Sequence, residues 1–153
     1  MKSINLLCRI TFLLLTAAFL GCGGDSDSDD EMNNGYTPLQ IVGKTLILKN
    51  TDGSIKLSAV HLSESGVTIN NVTVDYAKYP PSYSYSTTST NKAIYYLEAT
   101  KKTYIPYYGT YSYAKFVFDV NLSFTSPTGG TYTGNQTNGN GTNTTIKGTF
   151  TLN

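Results

Sequence analysis

From Lys115 to Thr125 the chain alternates almost without interruption. Phe116, Phe118, Val120, Leu122 and Phe124 hold the even positions. Lys115, Asp119, Asn121, Ser123 and Thr125 hold the odd ones, and Val117 alone breaks the rule. Side chains of a β-strand point alternately to opposite faces, so this period of two predicts an eleven-residue strand with one buried and one wet face. The next residues, Ser126-Pro127-Thr128-Gly129-Gly130, are turn formers, and Thr131-Tyr132-Thr133 carries the chain back as a hairpin. The final strand repeats the pattern, with Ile146, Gly148, Phe150 and Leu152 inward and Thr145, Lys147, Thr149 and Thr151 outward. A glycine on an inward face predicts a bend or a close neighbour at Gly148.

Shorter strands precede these. Lys44–Lys49 is one. Thr51-Asp52-Gly53 turns the chain into Ser54–Ser58, with Ile55 and Leu57 inward. Val67–Asn70 and Val72–Tyr76 flank a turn or bulge at Asn70-Asn71, and Ser82–Ser86 and Lys92–Ala99 flank a Ser/Thr-rich loop. Tyr79-Pro80-Pro81 and Ile105-Pro106 cannot be central strand, because proline donates no ladder hydrogen bond. Gly134–Asn143, made of Gly, Asn, Thr and Gln, reads as a long flexible loop at one end of the domain. Helix signals are nearly absent. The sum is an all-β domain, residues 37–153: a single antiparallel meander of about eight strands that closes as a small barrel, with a β-sandwich as the alternative. Closure removes exposed edges and lets the last strand pair with the first, near Lys44.

Several of these segments carry a resemblance. Val42-Gly43-Lys44-Thr45-Leu46, Tyr83-Ser84-Tyr85, Asn91-Lys92-Ala93-Ile94, the run Leu122–Gly134 and Gly148-Thr149-Phe150-Thr151-Leu152 resemble the strands of small lipocalin-like β-barrel lipoproteins of bacteria, of the Bacteroidota type, whose function is unknown. The resemblance spans most of residues 40–153 and implies a barrel with an interior pocket. It brings no catalytic residue.

The N-terminus gives an address. Lys2 and Arg9 precede the apolar run Ile10–Leu20, and small Gly21 precedes Cys22. This is the layout of a secretory signal peptide, residues 1–21. The run is too short for a transmembrane helix, since a hydrocarbon core of ~30 Å needs ~20 residues. Phe19-Leu20-Gly21-Cys22 resembles the lipobox of bacterial lipoproteins, with Phe19 where Leu is usual. That resemblance implies lipidation at Cys22 and a membrane partner through the lipid anchor; ordinary secretion with cleavage nearby is the alternative. With Cys8 inside the signal, Cys22 would be the one cysteine of the mature chain, and it has no partner for a disulfide or a metal site.

Residues 22–36 then form an acidic flexible tether, with Asp25, Asp27, Asp29, Asp30 and Glu31 packed into seven positions. Such a stretch buries too little surface to offset its ordering entropy. Its Asp-x-Asp-x-Asp spacing lacks the glycine and the twelfth-position glutamate of a calcium loop, so no metal or other cofactor is expected. The tract resembles the acidic run that directs many such lipoproteins to the outer face of the outer membrane, which implies an outer-membrane, surface-exposed location. Residues 36–153 reverse the charge, with nine lysines against five acids and no arginine. Lacking the bidentate arginine fork, and outside the cytoplasm, the chain is not expected to bind nucleic acid.

Chemistry-bearing residues are few. His61 is the single histidine and reads as an exposed or partly packed strand residue. No nucleophile elbow, HExxH or phosphate loop occurs, and the outward parity of Asp119 leaves paired-carboxylate hydrolysis without support, so the chain does not read as an enzyme. Tyrosine is the anomaly: 13 in all, 11 of them between Tyr76 and Tyr113, with no tryptophan. Tyr111 and Tyr113 share parity with the wet face of Lys115–Thr125. Tyr107, Tyr108, Tyr111 and Tyr113 are the candidate binding surface, because exposed aromatic clusters stack on sugars and peptides; cross-strand packing pairs are the plainer reading. Two functions follow as expectations. One is a binding module for an unknown small molecule, a glycan or an envelope protein. The other is an accessory subunit of an envelope complex.

Overall fold

The computed structural model describes residues 35–153; the expected signal peptide, Cys22 and residues 22–34 of the expected tether lie outside the described residues. Eight strands follow in chain order: β1 (Thr45–Asn50), β2 (Ile55–His61), β3 (Val67–Ile69), β4 (Ser82–Ser89), β5 (Lys92–Ile105), β6 (Thr110–Ser126), β7 (Gly129–Thr137) and β8 (Asn143–Leu152). All belong to one antiparallel sheet of order β3-β2-β1-β8-β7-β6-β5-β4. The last strand pairs with the first, Leu46 opposite Leu152 and Leu48 opposite Phe150, so the meander curls into a barrel open only between β3 and β4. One continuous sheet excludes the sandwich.

The alternation sets the interior. Phe116, Phe118, Val120, Leu122 and Phe124 of β6 are buried, as are Ala93, Tyr95, Leu97 and Ala99 of β5, and Asn121 is exposed. Phe124 and Phe150 meet edge to face over Gly130, centroids 4.8 Å apart. Phe116 meets Phe118 along β6 at 5.9 Å, and the inward side chains form one apolar cluster that fills the interior. Gly148 lies opposite Tyr132. A Cβ there would fall on the carbonyl of Lys49 and come within 3.1 Å of the Tyr132 ring, which is the close neighbour that the inward glycine predicts.

Four sequence expectations are corrected. Ile55 points to solvent, 55% exposed, while Leu57 is buried: the register shifts opposite Leu48 and Lys49, and a bulge flips the face on which later residues stand. Residues 72–76 are not a strand but make one bridge, Val74 to Lys101. The Asn71 side chain takes the place of backbone there, accepting from Ser58 N at 2.9 Å and donating to Lys56 O at 3.2 Å. The Ser/Thr-rich loop is the end of β4, which runs to Ser89. Most of the glycine- and asparagine-rich stretch is also strand: β7 reaches Thr137 and β8 starts at Asn143. In both cases cross-strand partners outweigh weak local propensity.

The two ends of the barrel differ. At the lower end, residues 36–43 cross the mouth. Tyr36 N donates to Asn91 Oδ1 at 3.0 Å, Thr37 N to Thr90 O at 3.1 Å and Gly43 N to His61 O at 2.8 Å. Ile41, 2% exposed, plugs the interior. The upper end carries the turns Thr51–Gly53 and Asn138–Thr142 and the long β5–β6 hairpin.

Candidate functional site

The β5–β6 hairpin outgrows the barrel. β5 and β6 pair without a register shift from Lys92–Ser123 to Ile105–Thr110. β7 joins β6 only from Val117 onward, β4 reaches only Glu98 of β5, and the last support is Lys102 N donating to Thr73 O at 2.8 Å. Residues 103–112 therefore stand as a two-stranded ribbon above the rim. Pro106–Tyr108 forms its tip as one 3-10 turn. Proline presets the backbone there, and Gly109 at φ 59° closes the turn in the left-handed region that glycine adopts without strain.

All four tyrosines of the candidate surface are exposed: Tyr107 at 88%, Tyr108 at 72%, Tyr111 at 49% and Tyr113 at 36%. They form two groups rather than one. Tyr107 and Tyr108 meet edge to face at the tip, centroids 4.9 Å apart. Tyr111 pairs with Tyr104, directly opposite on β5, at 5.2 Å. Tyr113 belongs to the base of the ribbon. It packs on Tyr79 at 5.1 Å, lies under Lys78 Nζ at 4.8 Å and donates its hydroxyl to Asp75 at 3.3 Å. Asp75 also binds Lys102 at 3.1 Å, and Lys102 Nζ sits 4.4 Å from the centre of the Tyr111 ring. The Lys102 hydrogen bond holds the Asp75 carboxyl below its usual range, and Asp75 raises Lys102 in turn. Tyr104 escaped the sequence reading. Folding the chain back about Pro106–Gly109 would have placed it opposite Tyr111.

Lys102, Tyr104, Tyr111 and Tyr113 share the outer face of the ribbon, since directly opposed residues point the same way. The inner face carries Lys101 and Ala114, which line a cleft at the barrel's upper mouth together with Lys56, Val72, Phe116 and Phe118.

His61 corrects a further expectation: it is fully buried. Its Nδ1 lies 3.1 Å from Lys44 O, an acceptor only, so Nδ1 carries the proton. Nε2 then accepts the Tyr95 hydroxyl at 3.1 Å. Burial pushes the imidazole below its ordinary pKa, and burial also raises the Tyr95 phenol. Tyr83 of β4 meets the His61 ring edge to face at 4.4 Å and donates to Ser63 O at 2.6 Å, while Tyr85 donates to Pro38 O at 2.8 Å. These rings and hydroxyls tie β4 across the open seam to His61 of β2, to Ser63 in the loop before β3 and to Pro38 of the crossing segment. With both ring nitrogens engaged, His61 is a strut of the seam. Among the described residues no three His, Cys, Asp or Glu side chains gather as metal ligands, and no helix is long and apolar enough to cross a membrane.

No family model matches the chain, and no curated protein or solved structure matches it significantly.

Proposed function

We propose that this chain is a lipid-anchored binding module of the cell envelope that holds an aromatic hairpin away from its membrane. The observation that carries the reading is the placement of two features at opposite ends of the barrel. The tether joins the domain beside Thr90 and Asn91, where Tyr36 and Thr37 are held, and the tyrosine tip lies at the far end of β5. Fourteen residues of β5 at roughly 3.3 Å each put the tip roughly 40 Å from that junction. An anchor at Cys22 would leave the tip the part farthest from the lipid. Tyr104, Tyr107, Tyr108 and Tyr111 offer large, stiff, amphipathic surface at little entropic cost, which suits a glycan or an extended protein segment.

The accessory-subunit reading has its own support. Thr110–Tyr113 forms a ribbon edge with no strand beside it, and such an edge accepts an added strand from a protein partner. Glycan-array binding of the full chain, beside cross-linking in intact cells, separates the two readings. Tyr107→Ser with Tyr108→Ser abolishes glycan capture under the first and leaves the cross-link intact under the second. For the anchor, Cys22→Ser should move the protein from the membrane fraction to the soluble one and abolish labelling by palmitate. An unlabelled wild type that fractionates as Cys22→Ser does would overturn the lipoprotein reading.

A further inference from the structure

We propose that the cleft at the upper mouth of the barrel binds a small organic monoanion, a carboxylate carried on an apolar body. This inference rests on neither the anchor nor the tyrosine hairpin. The cleft holds about 250 Å³, near the lower end of small-molecule sites, which begin at roughly 300 Å³. One short chain or one ring fills it. Its floor is apolar: Phe116 and Phe118 are buried, with Phe118 only 3% exposed, and Val72 and Ala114 stand beside them. Polar groups line it too: Gln136 and Asn138 of the β7–β8 hairpin, Lys56 of β2 and Lys101 of β5.

The charge arrangement selects the ligand. No carboxylate lines the cleft. Lys115 is neutralised by Glu98 at 2.8 Å, and Lys102 by Asp75. Lys56 and Lys101 have no ion pair among the described residues. Both are placed there by fold features. Lys56 lies at the bulge opposite Leu48 and Lys49, the kind of irregularity that re-aims a side chain. Lys101 continues the inward parity of Tyr95, Leu97 and Ala99 past the rim. Two unpaired ammonium groups over an aromatic floor favour an anion whose body replaces water on the rings.

The filled interior excludes a long chain threading the barrel. A fatty carboxylate and an aromatic carboxylate present the same chemistry, and the probes separate them. The full chain carrying Cys22→Ser, which is free of attached lipid, is titrated with octanoate, 3-phenylpropionate and octanol. The proposal expects at least one acid to bind about tenfold more tightly than octanol. Octanoate as the tighter acid marks an aliphatic ligand, and 3-phenylpropionate an aromatic one. Amide shifts should concentrate at Val72, Ala114–Phe118 and Gln136–Gly139. Lys56→Met with Lys101→Met should cost the preferred acid about tenfold while leaving octanol binding and the far-ultraviolet spectrum unchanged. Tyr107→Ser with Tyr108→Ser should leave acid binding intact, which keeps this result separate from the hairpin's role. Equal affinity for acids and octanol, shifts centred elsewhere, or acid affinity that survives the double lysine change would overturn the proposal.

Discussion

The lower end of the barrel is closed by its own chain, and the upper end is left unfinished. Below, residues 36–43 cross the mouth, Ile41 fills it, and His61, Tyr83 and Tyr95 join the seam through hydrogen bonds and ring contacts. Above, two strands run past the sheet that supports them, tyrosines face solvent, and two lysines stand without carboxylate partners over a shallow aromatic floor. The same residue type serves opposite ends differently. Tyr95 and Tyr85 spend their hydroxyls on the fold, whereas Tyr107 and Tyr108 pack edge to face on each other and stay largely exposed. The contrast shows where stability is invested and which surface is left over for a partner.

Perturbations at the two ends should therefore separate in kind, and the largest effect lies in the shared core. Phe118→Ala should destabilise by about 3–5 kcal/mol, as emptied aromatic core sites do, while Asn121→Ala three residues on should change stability by less than about 0.5 kcal/mol. Equal denaturation midpoints for the two would break the assignment of faces. Ile41→Ala should cost about 2–5 kcal/mol. A loss of only a few tenths would mean that the segment across the lower mouth is a loose strap and not a plug.

The seam adds a pH dependence near neutrality, apart from that of the carboxylates at the upper end. The folded protein holds His61 below its ordinary pKa of 6.5, so between the folded and unfolded values the unfolded chain binds more protons. Stability is then full above about pH 6.5 and declines as the pH falls toward the folded value. Asp52, Asp75 and Glu98, all lowered, act only in more acid solution. Melting temperatures from pH 8 to pH 5 should fall for the wild type and stay flatter for His61→Gln; parallel curves would remove His61 from the seam's account. The smallest effect belongs to the tip, where Tyr107→Ser with Tyr108→Ser should leave stability within about 0.5 kcal/mol. A sharp drop in melting temperature would show that the hairpin is structural and would erase the contrast between the ends.

Much of this architecture was legible in the chain. Parity along Lys115–Thr125 and Thr145–Leu152 placed every inward ring of β6 and β8, because a strand's side-chain period leaves no freedom once one face is buried. The exposure of Tyr111 and Tyr113 followed from the same parity, whereas that of Tyr107 and Tyr108 was expected only if the cluster is a binding surface, and the Tyr104–Tyr111 pair is the cross-strand packing of the plainer reading. Ile55 was misplaced because a bulge depends on the partner strand and leaves no mark in the local pattern. His61 was misjudged for a related reason: alternation can say that a residue faces inward, but not that Lys44 and Tyr95 will be there to satisfy it. The division of the tyrosines into a tip pair, the Tyr104–Tyr111 pair and the Tyr113–Asp75–Lys78 cluster rests on distant strand pairing and irregular segments, and the cleft that both Lys56 and Lys101 line draws on residues 45 positions apart. Local spacing determined which residues face in and which face out. Only closure of the sheet decided which of them meet, because long-range pairing is set by register between distant strands and not by any stretch of sequence read alone.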